Sequence, residues 1–549
     1  MLNRVKRDWQ GQLQVLALCA WLGVGVWAGA QTPPSPPAAK PAGSAGQPVH
    51  GGTLQFGVVP EAATIVSIDN TFGFPQKVGT KVVEGLLAYD FEFKPEARLA
   101  TRWQVSPDGL QYRFELRRGV KWHDGRDFTS ADVAFSILTL KEFHPRGRAT
   151  FANVSEVRTP DAHTAIIVLS KPAPYLLTAL ASSESPIVPR HLYEGTDIRA
   201  NPYNTKPVGT GPFVFKEWVK GSHIILERNP DYWDKPKPYL DRIVVRIIPD
   251  PAARAAALES GQLDLAGDTP VPLGDVARLR SLPTLDITTR GYEYGGQQSQ
   301  FEFNLDTPAL ANPKVRLAIA HAVDPKALVK TAWFGFAEVS PTPITPVLKQ
   351  FSDLRINPHA YDPALSERLL DEAGFARKAD GKRFALRLTY NPYYQEGNRR
   401  TTEYLRQALN RIGIDASIAA YDFGSFVKAV YTDRSFDIAV NNLNNNFDPT
   451  VGVQRIYWSK NFKPGLGFSN ASHYANPEVD QLLEAAAIEP DLTRRRGLFF
   501  RFQQIIHQDL PVVNLAAFQP VTVAQKKVRR HTLNSNGLND SFAELYLAP

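Results

Sequence analysis

The chain has 549 residues, of which 43% are hydrophobic and 21% charged, and its formal net charge is +7. That length calls for several lobes rather than one core, and the apolar fraction is ordinary for a packed globular protein. No run of five or more like charges occurs, which excludes the basic footprint of a nucleic-acid binder.

At the N-terminus, Arg4, Lys6 and Arg7 precede the apolar stretch "LQVLALCAWLGVGVWAGA" (13–30), which ends on Ala28-Gly29-Ala30. This reads as a secretory signal peptide cleaved after Ala30. The rival reading is a retained anchor, because 18 apolar residues approach the length of a membrane span. Cys19, the only cysteine, follows Leu18 rather than a small residue, which argues against a lipoprotein. Cleavage removes Cys19 and Met1, the only methionine, so the exported chain has no disulfide, no catalytic thiolate and no cysteine metal ligand. Residues 1–30 also carry a net +2 (Arg4, Lys6 and Arg7 against Asp8), leaving +5. Residues 31–50 form a Pro/Ala-rich tether without apolar periodicity.

Order begins at Gly51, with "GTLQFGVV" (52–59) alternating as a strand. Further strands are predicted over 112–117, 164–170, 213–218, 223–228 and 242–248, all rich in β-branched and aromatic residues. After the first of these, "HDGRD" turns the chain on Gly125 into a helix that opens at Phe128. Thr129 is its N-cap, Asp132 stands at N3, and Phe128 and Val133 occupy the staple positions. Asn312-Pro313 and Asp362-Pro363 each start a helix; in the second, Leu365, Leu369 and Leu370 face inward and Gly374 stops it. Leu498, Phe499, Phe502, Ile505 and Ile506 form one more apolar stripe. Mixed α/β structure in more than one lobe follows.

Enzyme motifs are missing from this pattern. The closest two of the eleven histidines, His144 and His163, are 19 residues apart, which rules out H-E-x-x-H and local histidine pairs but leaves a metal site from distant residues open. Neither a G-x-S-x-G elbow nor a phosphate loop is present. "GTGPF" (209–213) reads as a tight turn into the next strand. His123 has no nearby group to orient it as a base, so its reading is structural.

A string of motifs in fixed order carries more information than any one of them. "VVEGLLAYD" (82–90) precedes "ATRWQVSPDGLQYRFELRRGVKWHDGRDFTSADVAFS" (100–136). Then come "GTGPFVFKEW" (209–218), "LERNPDYWDKPKPYLDRI" (226–243), "ALESGQLD" (257–264), "FNLDTPALANPKVRLAIAHAVD" (303–324), "YDPALSERLLDEAGF" (361–375) and "YANPEVDQLLEAA" (474–486). In this order the chain resembles the family 5 extracytoplasmic solute-binding proteins of ABC importers, the group of dipeptide-, oligopeptide- and nickel-binding proteins. The resemblance implies an α/β, two-lobed periplasmic binding protein clamp (type II, large three-domain variant) with mixed sheets. Lobe one would comprise 51–88, 189–303 and the C-terminal return 516–549, with 89–188 as an extra domain; lobe two would be 304–515. Crossovers near Asn304 and near 515 would form the hinge. The implied partners are a peptide or small-molecule ligand and the permease of an ABC importer with its cytoplasmic ATPase. A periplasmic monomer without cofactor or catalytic activity is expected.

Specificity points to "FDIAVNNLNNNFDPTVGVQRIYWSKNF" (436–462). Peptide-binding relatives place a carboxylate three residues before the acidic-Pro pair, and a tryptophan three residues earlier; here those positions are Asn445 and Asn442. Neutral amides cannot provide the charge-assisted bond that holds a free α-ammonium. Asn441, Asn442, Asn444, Asn445 and Asn446 read as an amide-rich turn. It suits peptide backbones, blocked peptides or sugars, or else satisfies its own loop backbone. Asp448 is expected to cap or turn, and Glu293 and Glu396 are spare carboxylates for an ammonium. Tyr292, Tyr294, Trp333, Tyr393, Tyr394 and Trp458 are candidate ring contacts, whereas Trp103, Tyr232 and Trp233 read as core. The alternatives are an oligosaccharide-binding member of the same family, nickel or haem binding, and a secreted hydrolase with carboxylates from distant positions.

Overall fold

The first predicted strand forms over Thr53–Gly57 and buries Leu54 and Phe56. It runs parallel to Arg242–Arg246 and to Leu265–Ala266 in the middle of a seven-stranded sheet. His223–Arg228 and Phe213–Val219 extend one side, and Thr522–Gln525 and Leu285–Thr288 the other. The structure is a computed structural model that describes residues 47–549, apart from the side chains of Tyr394 and Gln395. The expected signal peptide, Cys19 and most of the expected tether lie outside the described residues. No helix among the described residues is long and apolar enough to cross a membrane.

Four antiparallel strands, Ala100–Val105, Gln111–Leu116, Thr164–Leu169 and Val154–Asp161, form a separate sheet. On the second, Tyr112, Phe114 and Leu116 point inward while Gln111, Arg113 and Glu115 face water, the period-two pattern of a half-buried strand. Helix Ser130–Phe143 packs on this sheet. The Thr129 N–H donates to Asp132 Oδ2 at 2.8 Å, and Phe128 and Val133 are buried at the staple positions.

His123 ties this sheet to the turn "GTGPF". Its Nδ1 accepts from the Gly209 N–H at 3.3 Å and its Nε2 donates to Gly211 O at 2.9 Å. Burial holds its pKa down at about 4, so the ring is a neutral pin. Gly209 and Gly211 are there because the chain at Val82 comes too close for a side chain; a Cβ would stand 1.8 and 2.6 Å from Val82 O. Nearby, the buried Glu84 accepts from Thr210 Oγ1, Tyr232 Oη and Trp233 Nε1, each at 2.9 Å. Motifs far apart in sequence thus meet in one buried knot.

A six-stranded sheet follows, in the order Ala337–Val339, Val512–Phe518, Gln297–Phe303, Ile438–Asn444, Ala385–Tyr390 and Asp415–Ala419. Its strand Val512–Phe518 is buried at every position, as a strand covered on both faces must be. Gln297–Phe303 pairs with both Ile438–Asn444 and Val512–Phe518. The chain has therefore entered the second sheet before residue 304, and the crossovers lie at 289–296 and 519–521, not at Asn304 and 515. Asn304 is instead fixed within the second half. Its Nδ2 donates to Phe436 O at 2.9 Å and to Arg434 O at 3.2 Å, and its Oδ1 accepts from the Asp306 N–H. The first crossover carries the glycines, with Gly291 and Gly296 at φ of 89° and 53°.

Candidate ligand-binding cleft

Beside the crossover 289–296 lies a cleft of about 2060 Å³. One wall comes from the first half of the molecule: Gly73, Phe74 and Lys77 of helix Gly73–Val78, the loop at Asp268–Leu273, and Arg146 and Glu184 beside the four-stranded sheet. The other comes from strand Ile438–Asn444, the turn after it, helix Gln454–Tyr457, and Trp333 under the first turn of helix Gln395–Arg411. The two halves approach each other closely: a Cβ on Gly73 would stand 3.8 Å from the Tyr393 hydroxyl and one on Gly274 3.6 Å from the Phe334 ring.

The second wall carries polar atoms without partners. Asn442 is buried, and neither its Nδ2 nor its Oδ1 has a hydrogen bond; Asn446 Nδ2, Gln454 Oε1 and Trp333 Nε1 are in the same state. Buried polar groups are rarely left unpaired, and all four residues that carry these atoms line the cleft, the setting of a polar solute. The Trp333 ring packs on Phe518 at 4.6 Å. Gly397 lies against the indole so closely that a Cβ would stand 2.3 Å from two ring carbons.

Two cations of the first wall are matched by carboxylates. Lys77 pairs with Asp268. Arg146 grips Glu184, its Nε 2.6 Å from Oε2, and Gln76 Nε2 donates to the same carboxylate at 3.0 Å. Across the cleft, Arg455 Nε donates to Gly452 O at 3.0 Å and its Nη1 to Phe468 O at 3.1 Å. Burial pushes its pKa down to about 10. Behind it, Glu302 is fully buried, and burial raises its carboxyl to about 7.

The model of the family described as bacterial extracellular solute-binding proteins, family 5 Middle, matches residues 94–464, more than half of the chain. The chain belongs to this solute-binding family. The glutathione-binding protein GsiB of Salmonella choleraesuis is 28% identical over 471 residues, covering 84% of this chain and 87% of that one. Among solved structures, the ABC transporter-associated periplasmic binding protein DppA from Helicobacter pylori in complex with peptide STSA matches with a TM-score of 0.77 at 27% identity, over 91% of this chain and 99% of that one. NikZ from Campylobacter jejuni in complex with Ni(L-His) matches with a TM-score of 0.76 at 26% identity, over 89% and 97%. The fold of this solute-binding protein is the two-lobed α/β clamp, and its role is the extracytoplasmic binding step of ABC import.

Of the candidates from the sequence, this solute-binding protein places Asn442, Asn444, Tyr292, Tyr294, Trp333, Tyr393 and Trp458 on the cleft walls, together with Asn446 and Glu396. Asn441 and Asn445 do not line it. The amide run is mostly a strand rather than a turn: Ile438–Asn444 pairs Asn441 with Gln300 and Asn442 with Ser299. Successive strand residues face opposite ways. Asn441 therefore points into the interior, where its Nδ2 donates to Tyr431 Oη at 3.0 Å and its Oδ1 accepts from Asn391 Nδ2 at 2.9 Å. Asn445 Oδ1 accepts from the Thr345 N–H at 2.6 Å, so it is a backbone tie and no ammonium anchor. Glu293 accepts from the Gly291 N–H at 2.7 Å and lies off the cleft; Glu396 is held by Arg400 at 3.1 Å. Tyr294 and Tyr292 are pinned through their hydroxyls, Tyr294 to Thr178 O at 2.7 Å and Tyr292 to Thr522 Oγ1 at 2.6 Å. The side chain of Tyr394 lies outside the described residues.

Asp448 caps the next turn, accepting from the Thr450 N–H at 2.9 Å, and also receives both Nη groups of the buried Arg495 at 2.7 Å. The fold brings together three distant histidines as well. His359 stacks on His507 at 4.1 Å and meets His321 at 5.4 Å, in a place apart from the cleft. Among the described residues no group of three or more His, Cys, Asp or Glu side chains is placed to hold a metal.

Proposed function

We propose that this chain captures a peptide or peptide-like polar solute between its two lobes and hands it to the permease of an ABC importer, whose cytoplasmic ATPase drives transport. The observation that carries this reading is Asn442, a buried amide with its donor and its acceptor both unused on the cleft wall. A peptide group offers the matching acceptor and donor, and Asn446 Nδ2 and Gln454 Oε1 extend the same complementarity. A glutathione-binding relative and a peptide-complexed structural neighbour support a solute of this class. The lobes turn on the crossovers 289–296 and 519–521, and closure on the solute favours the liganded state because both walls contact it. The protein works as a periplasmic monomer after removal of residues 1–30, binding its solute without turning it over.

A thermal-shift panel on the exported chain tests this reading, with free and N-acetylated tri- and tetrapeptides, oligosaccharides and Ni(L-His) as probes. A peptide-like probe at about 100 times its Kd adds about 2.7 kcal/mol of stability. Shifts with oligosaccharides or the nickel complex alone would overturn the peptide reading.

A further inference from the structure

Two neighbouring rings in the loop between helix Pro325–Ala332 and strand Ala337–Val339 have opposite settings. Trp333 is buried and lines the cleft, whereas Phe334 is 44% exposed and does not line it. Phe334 also has a φ of 51°, in the left-handed region that bulky side chains avoid because Cβ crowds the backbone there. An exposed ring gains little from burial, so the core does not offset this strain. Strained backbone that persists outside the core points to a function.

The position of the ring supplies one. Gly274 lies in the turn Leu273–Asp275 of the first half, and a Cβ there would stand 3.6 and 3.8 Å from two carbons of the Phe334 ring. This contact between the halves lies one residue outside the cleft on both sides, since Leu273 and Trp333 are lining residues and Gly274 and Phe334 are not. Two residues on, the Phe336 ring meets the guanidinium of Arg280, from helix Val276–Arg280, at 5.7 Å. Both loops are anchored to the second crossover: the Gln519 N–H donates to Phe336 O at 3.0 Å, and the Thr269 N–H to Val521 O at 2.8 Å. Within its own half, the Phe334 ring is held by the Arg400 guanidinium, 4.7 Å away.

We propose that Phe334 is a latch between the lobes: its ring seats against Gly274 and holds the cleft walls together, so that solute affinity depends on a residue outside the cleft. The inference rests on the proposed turning of the lobes at 289–296 and 519–521, and on no particular solute. Turning that widens the cleft separates the walls that carry Leu273 and Trp333, and Gly274 and Phe334 part with them. The contact therefore exists only while the walls stand as close as they do here, and its loss shifts the population toward a wider cleft. Apparent affinity falls with the fraction of chains in the binding-competent arrangement. Arg400 orders the ring before the lobes meet, so little side-chain freedom is lost on closing.

Small-angle X-ray scattering of the unliganded exported chain and of Phe334→Gly tests this, because glycine keeps the left-handed backbone and removes the ring. The variant should show the larger radius of gyration with its melting temperature preserved. Titration calorimetry with N-acetyl-trialanine should give an affinity weaker by about threefold to tenfold, the worth of one aromatic contact. Gly274→Ala adds a methyl at ordinary contact distance from the ring and should act in the opposite direction, with no larger radius and tighter binding. Equal radii for the unsubstituted chain and Phe334→Gly, or equal affinity for the probe in both, would overturn the latch. A lower melting temperature at an unchanged radius would reduce the ring to packing and overturn it as well. The scattering comparison needs no solute, so a wrong peptide reading leaves it intact, and a failed latch leaves the peptide reading standing. If Phe334→Gly does not fold, Phe334→Asn, which also tolerates left-handed backbone, is measured in the same way.

Discussion

Glu302 gives a quantitative test of how the second sheet is built. It lies on strand Gln297–Phe303 with no exposed surface. One carboxyl oxygen accepts from Asn441 Nδ2 and Gln300 Nε2, both at 3.3 Å, and the other has no partner. Burial raises its pKa from the usual 4.5 to about 7. Between those values the folded chain keeps a proton that the unfolded chain releases, so this group makes stability fall as pH rises from about 4.5 through about 7. At roughly 1.4 kcal/mol per pH unit the loss reaches about 3 kcal/mol. Glu302→Gln keeps the shape and removes the titration. Urea unfolding of both chains at pH 5 and pH 8 measures the double difference. The unsubstituted chain should lose up to about 3 kcal/mol more than the variant on going to pH 8. An identical pH dependence in the two chains would refute the burial argument for Glu302.

Arg495→Met leaves Asp448 as a buried charge without its partner and should cost about 3–5 kcal/mol in thermal or urea unfolding. Adding Asp448→Asn should recover part of that loss, and no recovery would mean that the pair is not the cause. His123→Ala removes the pin on Gly209 and Gly211 and should cost about 1–3 kcal/mol with solute affinity unchanged. Lost affinity in a well-folded His123→Ala chain would contradict its purely structural role.

The framework was largely legible in the sequence because its determinants are local. Thr129 with Asp132, Asn312 with Pro313 and Asp362 with Pro363 announce helix starts through caps that act over two or three residues, and these helices form where expected. Alternation at Tyr112, Phe114 and Leu116 announces a half-buried strand in the same way. The site was less legible. Asparagine is a poor strand former, so the amide run read as a turn, and only pairing with the distant strand Gln297–Phe303 makes it a strand. That pairing decides which amides face the cleft, Asn442 and Asn444 and not Asn441. Arg455 was missed because a lone arginine in "VQRIYW" carries no local signal that it lines the cleft, which only the fold displays. Arg146 and Glu184, and Lys77 and Asp268, are equally silent in sequence, being 38 and 191 residues apart. The crossovers were misplaced because the motif containing Asn304 marks the end of a strand already inside the second sheet.

The central claim, that the solute is held by the unpaired amides of the cleft wall, is tested most directly by titration calorimetry of the exported chain and of Asn442→Leu against the peptide-like probe with the largest thermal shift. The account predicts one solute per chain, and an affinity at least tenfold weaker in Asn442→Leu with the unliganded melting temperature preserved or raised, because an unsatisfied buried amide is removed. Equal affinity in the two chains would contradict it.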